Sequence, residues 1–114
     1  MKHDALTMAL LYDYYGELLT EKQRTCFDLY YNQDLSLSEI AEDLGVTRQG
    51  VHDSLVRAET LLRDFENKTG CIARDARTRD AAGRIETAAQ ALLNDPCAAP
   101  LARQILAAVN EIKE

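Results

Sequence analysis

A chain of 114 residues, 46% hydrophobic and 28% charged, buries one modest core and is too short for two large independent domains. No run approaches the roughly 18 apolar residues of a membrane span, and Met1-Lys2-His3-Asp4 leads into an amphipathic stretch, not a signal-peptide core; a cytoplasmic protein without membrane insertion is expected. The formal charge is −6, and residues 1–70 hold 7 Lys/Arg against 13 Asp/Glu while residues 71–114 hold 6 against 6, which excludes a protein that coats nucleic acid through bulk positive charge.

The first predicted helix runs from Asp4 to Tyr15, with Asp4 as N-cap and Leu6, Leu10 and Tyr14 as its inward stripe beside Ala9. Gly16 ends it. Thr20-Glu21-Lys22-Gln23 reads as a capping box, in which the Thr20 hydroxyl accepts from the N3 amide and the Gln23 side chain accepts from the Thr20 amide. It opens a helix from Glu21 to Tyr31 that offers Cys26, Phe27, Leu29 and Tyr30 to the core. Polar Asn32-Gln33-Asp34 supplies a turn, and Ser36-Leu37-Ser38-Glu39 repeats the capping box before a short helix carrying Leu37, Ile40, Ala41 and Leu44. Gly45 suits the left-handed position after that helix, Val46 is expected to pack inward, and Thr47 to cap the next helix.

That fourth helix extends from Arg48 to about Asn67, with Val51, Leu55, Ala58, Leu62 and Phe65 as its apolar stripe and Lys68-Thr69-Gly70 closing it. Its later turns need a partner, either a following helix or a second chain. Composition then shifts: 12 of the 16 alanines lie in residues 71–114, and every aromatic precedes Gly70. Two domains are expected, a helix-turn-helix domain over 1–70 and a helical tail over 71–114. In the tail, Ala81, Ile85, Ala88 and Leu92 form one narrow stripe and Leu101, Ile105, Ala108 and Ile112 another, separated by the Asn94-Asp95-Pro96 break and Pro100. Such stripes suit an antiparallel hairpin or a dimer seam. No strand pattern appears, and the fold class is all-α.

The segment from Ser36 to Asn67 has the spacing of a helix-turn-helix: Ala41 permits close approach, Gly45 turns, and Val46 and Val51 seal the angle. The start of the fourth helix is the surface that such a motif presents, so Arg48, Gln49, His52 and Arg57 are the candidate nucleic-acid or partner contacts. Gln49 suits adenine, and Arg48 suits guanine or phosphate. Asp53 shares that surface, and along the helix Arg48, Arg57, Arg63 and Lys68 are matched by Asp53, Glu59, Asp64 and Glu66, the composition of a solvated, ion-paired face.

Arg74, Arg77, Arg79 and Arg84 concentrate basic charge in the tail, diluted by Asp75 and Asp80; solvated helix surface is the leading reading, phosphate contact the other. Tyr12, Tyr14, Tyr15, Tyr30 and Tyr31 are read as core or half-buried wall, with a protein interface as the second reading. Cys26, Cys71 and Cys97 form no C-x-x-C pair and are expected as free, packed thiols without metal. With His3 and His52 the only histidines and no glycine-rich phosphate loop, neither catalysis nor a cofactor is predicted.

From Leu19 to Phe65 the order Leu-Thr-Glu-Lys-Gln-Arg, Leu-Tyr-Tyr and Leu-Ser-Glu-Ile-Ala-Glu-Asp-Leu-Gly-Val-Thr-Arg-Gln-Gly-Val-His resembles region 4 of sigma factors. With Tyr12-Asp13-Tyr14-Tyr15-Gly16 ahead of it, the stretch resembles more closely the small bacterial YlxM-type proteins, over residues 6–66. The resemblance implies a sigma-region-4-like helix-turn-helix with C-terminal alanine-rich helices. It also implies a non-catalytic regulatory accessory of the signal recognition particle pathway that contacts the particle's RNA or its GTPases. Two alternatives stand beside it: a transcription regulator that binds DNA, as a homodimer joined through the alanine-rich helices, and a purely protein-directed module that uses the tyrosine-rich helices.

Overall fold

The computed structural model describes residues 4–113, which are all-α: α1 (Ala5–Tyr15), α2 (Glu21–Phe27), α3 (Leu37–Leu44), α4 (Arg48–Thr69), α5 (Cys71–Leu92) and α6 (Ala99–Lys113). A single 3₁₀ turn, Gly16–Leu18, follows α1, and a π-helical turn, Asp28–Asn32, follows α2. The chain divides into two compact units, one up to Ile72 and the other from Ala73. His3 lies outside the described residues. No helix among the described residues is long and apolar enough to cross a membrane.

Capping fixes the helix starts in the first unit. Asp4 accepts from the Leu6 amide at 3.1 Å and from the Thr7 hydroxyl at 2.7 Å. Both capping boxes close: Gln23 N to Thr20 Oγ1 is 3.2 Å with Thr20 N to Gln23 Oε1 at 3.0 Å, and Glu39 N to Ser36 Oγ is 3.1 Å with Ser36 N to Glu39 Oε1 also at 3.1 Å. Thr47 Oγ1 accepts from Gly50 N at 3.0 Å and starts α4. Gly45 enters the left-handed region at φ 67°, and the Val46 amide reaches back to the Ala41 carbonyl at 3.0 Å, so α3 ends in a Schellman turn. Gly70, at φ 64°, ends α4 in the same left-handed conformation.

Two apolar clusters lie along α4. Val51 and Leu55 meet Cys26, Tyr30, Leu37, Ile40 and Ala41 of the helix-turn-helix. Ala58 and Leu62 meet Met8, Leu11, Tyr15, Leu19 and Phe27, with Phe65 half-buried beside them. The later turns of α4 therefore find their partner in the preceding helix α1, where a following helix or a second chain was expected. The inward face of α1 is Met8, Leu11 and Tyr15, not Leu6, Leu10 and Tyr14; Leu6 is 81% exposed and Leu10 43%, while Tyr14 is half-buried. Every position from Leu6 to Leu11 except Thr7 is apolar, so periodicity fits either stripe, and contact with α4 selects the one a third of a turn away.

Helix α2 was expected to stay regular to Tyr31, but from Asp28 it widens, with the Gln33 amide bonded to the Asp28 carbonyl, five residues back, at 3.0 Å. Beside this wider turn Tyr12, Phe27 and Tyr31 form one aromatic stack. Phe27 lies 4.7 Å from Tyr12 with rings 3° from parallel and 4.5 Å from Tyr31, and Tyr30 meets Tyr31 edge-on at 5.2 Å. Val46, expected inside, is 37% exposed, because the Schellman turn carries its side chain over the Glu21–Thr25 edge of α2 and not into the core.

In the second unit the buried residues are Ala82 and Ala89 on α5 and Ala102 and Val109 on α6, and Lys113 Nζ on α6 pairs with Glu86 Oε2 on α5 at 3.0 Å. The expected stripes are shifted by one residue: Ile85, Leu92, Leu101, Ile105 and Ile112 are 39–63% exposed. Cys26 is buried and Cys71 half-buried, but Cys97 is exposed in the α5–α6 connection and does not pack as expected.

Candidate partner interface at the start of α4

The buried row Val51, Leu55, Ala58 and Leu62 faces inward; Gln49 and Arg57 stand on the other side of α4, His52 on its flank, and Arg48 in the first turn, in line with the buried row. Arg48, Gln49 and Arg57 are exposed, and His52 is 42% exposed at its side chain. Gln49, Asp53 and Arg57 follow one another at i, i+4 and i+8 and line one strip; His52 flanks it, and Arg48 lies further round the first turn of α4.

Asp53 organises this strip. Gln49 Nε2 donates to its Oδ1 at 2.9 Å, and His52 Nδ1 lies 3.5 Å from the same oxygen. The Gln49 hydrogen bond first, the His52 contact next and the field of Arg57 among the smaller causes hold the Asp53 carboxyl below its usual range. Gln49 and His52 are therefore held by an internal acceptor, while Arg48 forms no ion pair among the described residues.

Two of the four acids that seemed to neutralise α4 point elsewhere. Glu59 is 4% exposed and accepts from the Tyr31 hydroxyl at 2.6 Å. Glu66 accepts from the Tyr15 hydroxyl and, at 3.0 Å, from the Ile72 amide, which ties the end of α4 to α1 and to the first residues of α5. Burial first, and the bond to Glu66 next, raise the Tyr15 phenol above its usual value. The exposed surface of α4 is thus Arg48, Arg57, Arg63 and Lys68 against Asp53 and Asp64, more basic than its sequence suggests.

A shallow groove lined by Thr20, Lys22, Gln23, Gly50, Asp53, Ser54 and Arg57 joins the first turn of α2 to this strip. Lys22 is the residue that sequence reading missed. It lies 26 residues before Arg48, and only its place in the first turn after the Thr20 capping box pointed to it. In the second unit Arg84 Nε pairs with Asp80 at 3.1 Å, and Arg74, Arg77 and Arg79 are spread along the exposed surface of α5. The tyrosines form no exposed patch, since Tyr15 and Tyr30 are buried and Tyr12, Tyr14 and Tyr31 half-buried. Among the described residues, no group of three or more His, Cys, Asp or Glu side chains is placed to hold a metal ion.

The chain matches, over residues 2–94, the family described as "Putative helix-turn-helix protein, YlxM / p13 like". It belongs to that family. The match runs past residue 66, where the resemblance read from the sequence ends, and takes in all of α5. Among relatives, a UPF0122 protein of Thermoanaerobacter sp. (strain X514) is 55% identical over 74 residues, 65% of this chain and 63% of the relative. A UPF0122 protein of Caldanaerobacter subterraneus subsp. tengcongensis is 54% identical over 72 residues, 63% of this chain and 62% of the relative. One from Halalkalibacterium halodurans is 46% identical over 74 residues, 65% of this chain and 68% of the relative. The chain thus spans a little under two thirds of the length of the first two.

Proposed function

We propose that this chain is a non-catalytic, cytoplasmic binding and regulatory accessory of the signal recognition particle pathway, docking through the start of α4 on the particle's RNA or its GTPases. The observation that carries the reading is the strip of Gln49 and Arg57 around Asp53, flanked by His52 and by the exposed Arg48 of the first turn, with Lys22 across the groove and the core packed behind it. A rigid helix presenting unburied cations and amides offers directional contacts at small entropic cost. Membership of the YlxM/p13-like family, together with the resemblance that links such proteins to the signal recognition particle, supports the choice of partner.

Of the two partners the GTPases are favoured. The first 70 residues carry 13 acids against 7 Lys/Arg, which weakens long-range attraction to phosphate even though α4 itself is locally basic. The second reading, DNA binding of the sigma-region-4 type, draws on Lys22, Arg48 and Arg57 as phosphate contacts around a helix start.

Titration against signal recognition particle RNA, mixed genomic DNA and the particle's GTPases across a salt series separates these readings. The proposal expects a GTPase complex that persists as salt rises and that Arg48→Ala with Gln49→Ala weakens at least tenfold. Tight DNA binding that falls steeply with salt would replace it with the transcriptional reading. Binding to the GTPases unaltered by the double substitution would remove this strip from the site.

A further inference from the structure

We propose that the α3–α4 turn and the first turns of α2 form a two-part seat for an amphipathic helix of a protein partner, one that sets an aliphatic side chain beside a carboxylate; the proposal rests on the protein partner favoured above. A hollow of about 490 Å³ lies between these elements, with Leu44 and Val46 on one side and Glu21, Lys22 and Thr25 on the other. Val46 is 37% exposed and Leu44 half-buried, so aliphatic surface is left open there. Lys22 lines both this hollow and the groove that holds Ser54 and Arg57, so the two openings share a rim. Glu21 and Thr25 also line a recess with Tyr12 and Arg24 to which α4 contributes no residue. Lys22 therefore marks the side of the hollow toward α4, and Glu21 the side away from it.

Charge selects the occupant. Lys22 and Arg57 form no ion pair among the described residues, and Asp53, the acid that lines their groove, is already held by Gln49 at 2.9 Å. A carboxylate arriving on the α4 side meets both cations, with the Ser54 hydroxyl able to donate, while an aliphatic neighbour enters the hollow against Val46 and Leu44. Glu21, on the far side, suits a Lys or Arg beyond that aliphatic residue. An amphipathic helix supplies acid, aliphatic and base one turn apart. Duplex RNA displays phosphates, 2′-hydroxyls and base edges and no aliphatic side chain, and its phosphates would meet Glu21 and Asp53 as well as Lys22.

Amide NMR of the full chain at low salt, titrated with a short capped helical peptide that sets Glu, Leu and Lys one turn apart, probes the seat without any natural partner. The amides of Lys22, Leu44, Val46 and Ser54 are expected to shift together on one saturating curve at millimolar peptide or below. A peptide with Ser in place of Leu is expected to bind at least about tenfold more weakly, because the buried aliphatic side chain is gone. Val46→Thr, which keeps the β-branch, and Lys22→Ala, which leaves the Thr20–Gln23 capping box, are each expected to weaken the Leu peptide about threefold. No shift at millimolar peptide, an equal response to the Ser peptide, or larger shifts of the same amides by a short duplex RNA would each overturn the seat. The GTPase titration with the same variants keeps the two proposals apart. A complex weakened by Arg48→Ala with Gln49→Ala yet indifferent to Val46→Thr and Lys22→Ala overturns the seat alone; peptide binding at the seat without any GTPase complex overturns the choice of partner alone.

Discussion

Tyr31→Phe removes the hydroxyl that donates to a buried carboxylate. The ring keeps its contacts with Phe27 at 4.5 Å and Tyr30 at 5.2 Å, and only the hydroxyl that donates to Glu59 Oε1 at 2.6 Å is lost. Glu59 is 4% exposed, so water does not readily replace the donor. A hydrogen bond to a carboxylate in that setting contributes about 1.5–3 kcal/mol. In a unit of this size each kcal/mol corresponds to about 4–8 °C, so the midpoint should fall by on the order of 10 °C. The chain has no tryptophan, and its five tyrosines all precede Gly70, so tyrosine fluorescence in a urea melt reports the first unit alone. A loss under about 0.5 kcal/mol would refute the reasoning, because it would mean that the Tyr31 hydroxyl adds little to what the other surroundings of Glu59 supply.

The exposed and buried faces of α1 make a paired test: Met8→Ala should cost about 2–5 kcal/mol and Leu6→Ala stay within about 0.5, read as urea midpoints; equal costs would restore the stripe expected from periodicity. Tyr15 has a phenol raised above its ordinary value of 10.0, so the folded state binds its proton more tightly than the unfolded chain. That contribution is fully present below pH 10 and is lost as pH rises through the folded value, and Tyr15→Phe should flatten the alkaline fall in stability followed by circular dichroism. Asp53 is shifted the opposite way, its contribution present above its ordinary value of 3.8 and lost as pH falls through the lower folded one. Gln49→Ala, which removes the largest cause, should move the Asp53 carboxyl upward in an NMR titration; no movement would mean that the Gln49 bond does not form in solution.

Local chemistry was legible in the sequence. Asp4, Thr20, Ser36 and Thr47 cap where expected because a cap needs only the side chain and the next three amides. Gly45 and Gly70 turn where expected because few other residues accept a positive φ. Burial in uniformly apolar or alanine-rich stretches was not legible. Helix α1 offers two candidate stripes and α5 and α6 two each, and the choice between them depends on a neighbouring helix that the pattern does not encode. The widened turn at Asp28 has no composition of its own to mark it in the sequence. Charge misled for a related reason. Glu59 and Glu66 count as surface acids in a sequence, yet their acceptors are taken by Tyr31, Tyr15 and the Ile72 amide across gaps of 6 to 51 residues. The candidate strip was found as four residues on one helix, and Lys22 was missed because it reaches the same groove from another.

The central claim is that the start of α4 is the docking surface. Amide hydrogen exchange of the full chain, with and without the signal recognition particle GTPases, tests it most directly. Protection centred on residues 48–57 with the first turn of α2, and little change on α5 and α6, is the predicted result. Protection confined to the α5–α6 hairpin or to α1, with residues 48–57 unaffected in a demonstrably formed complex, would contradict it.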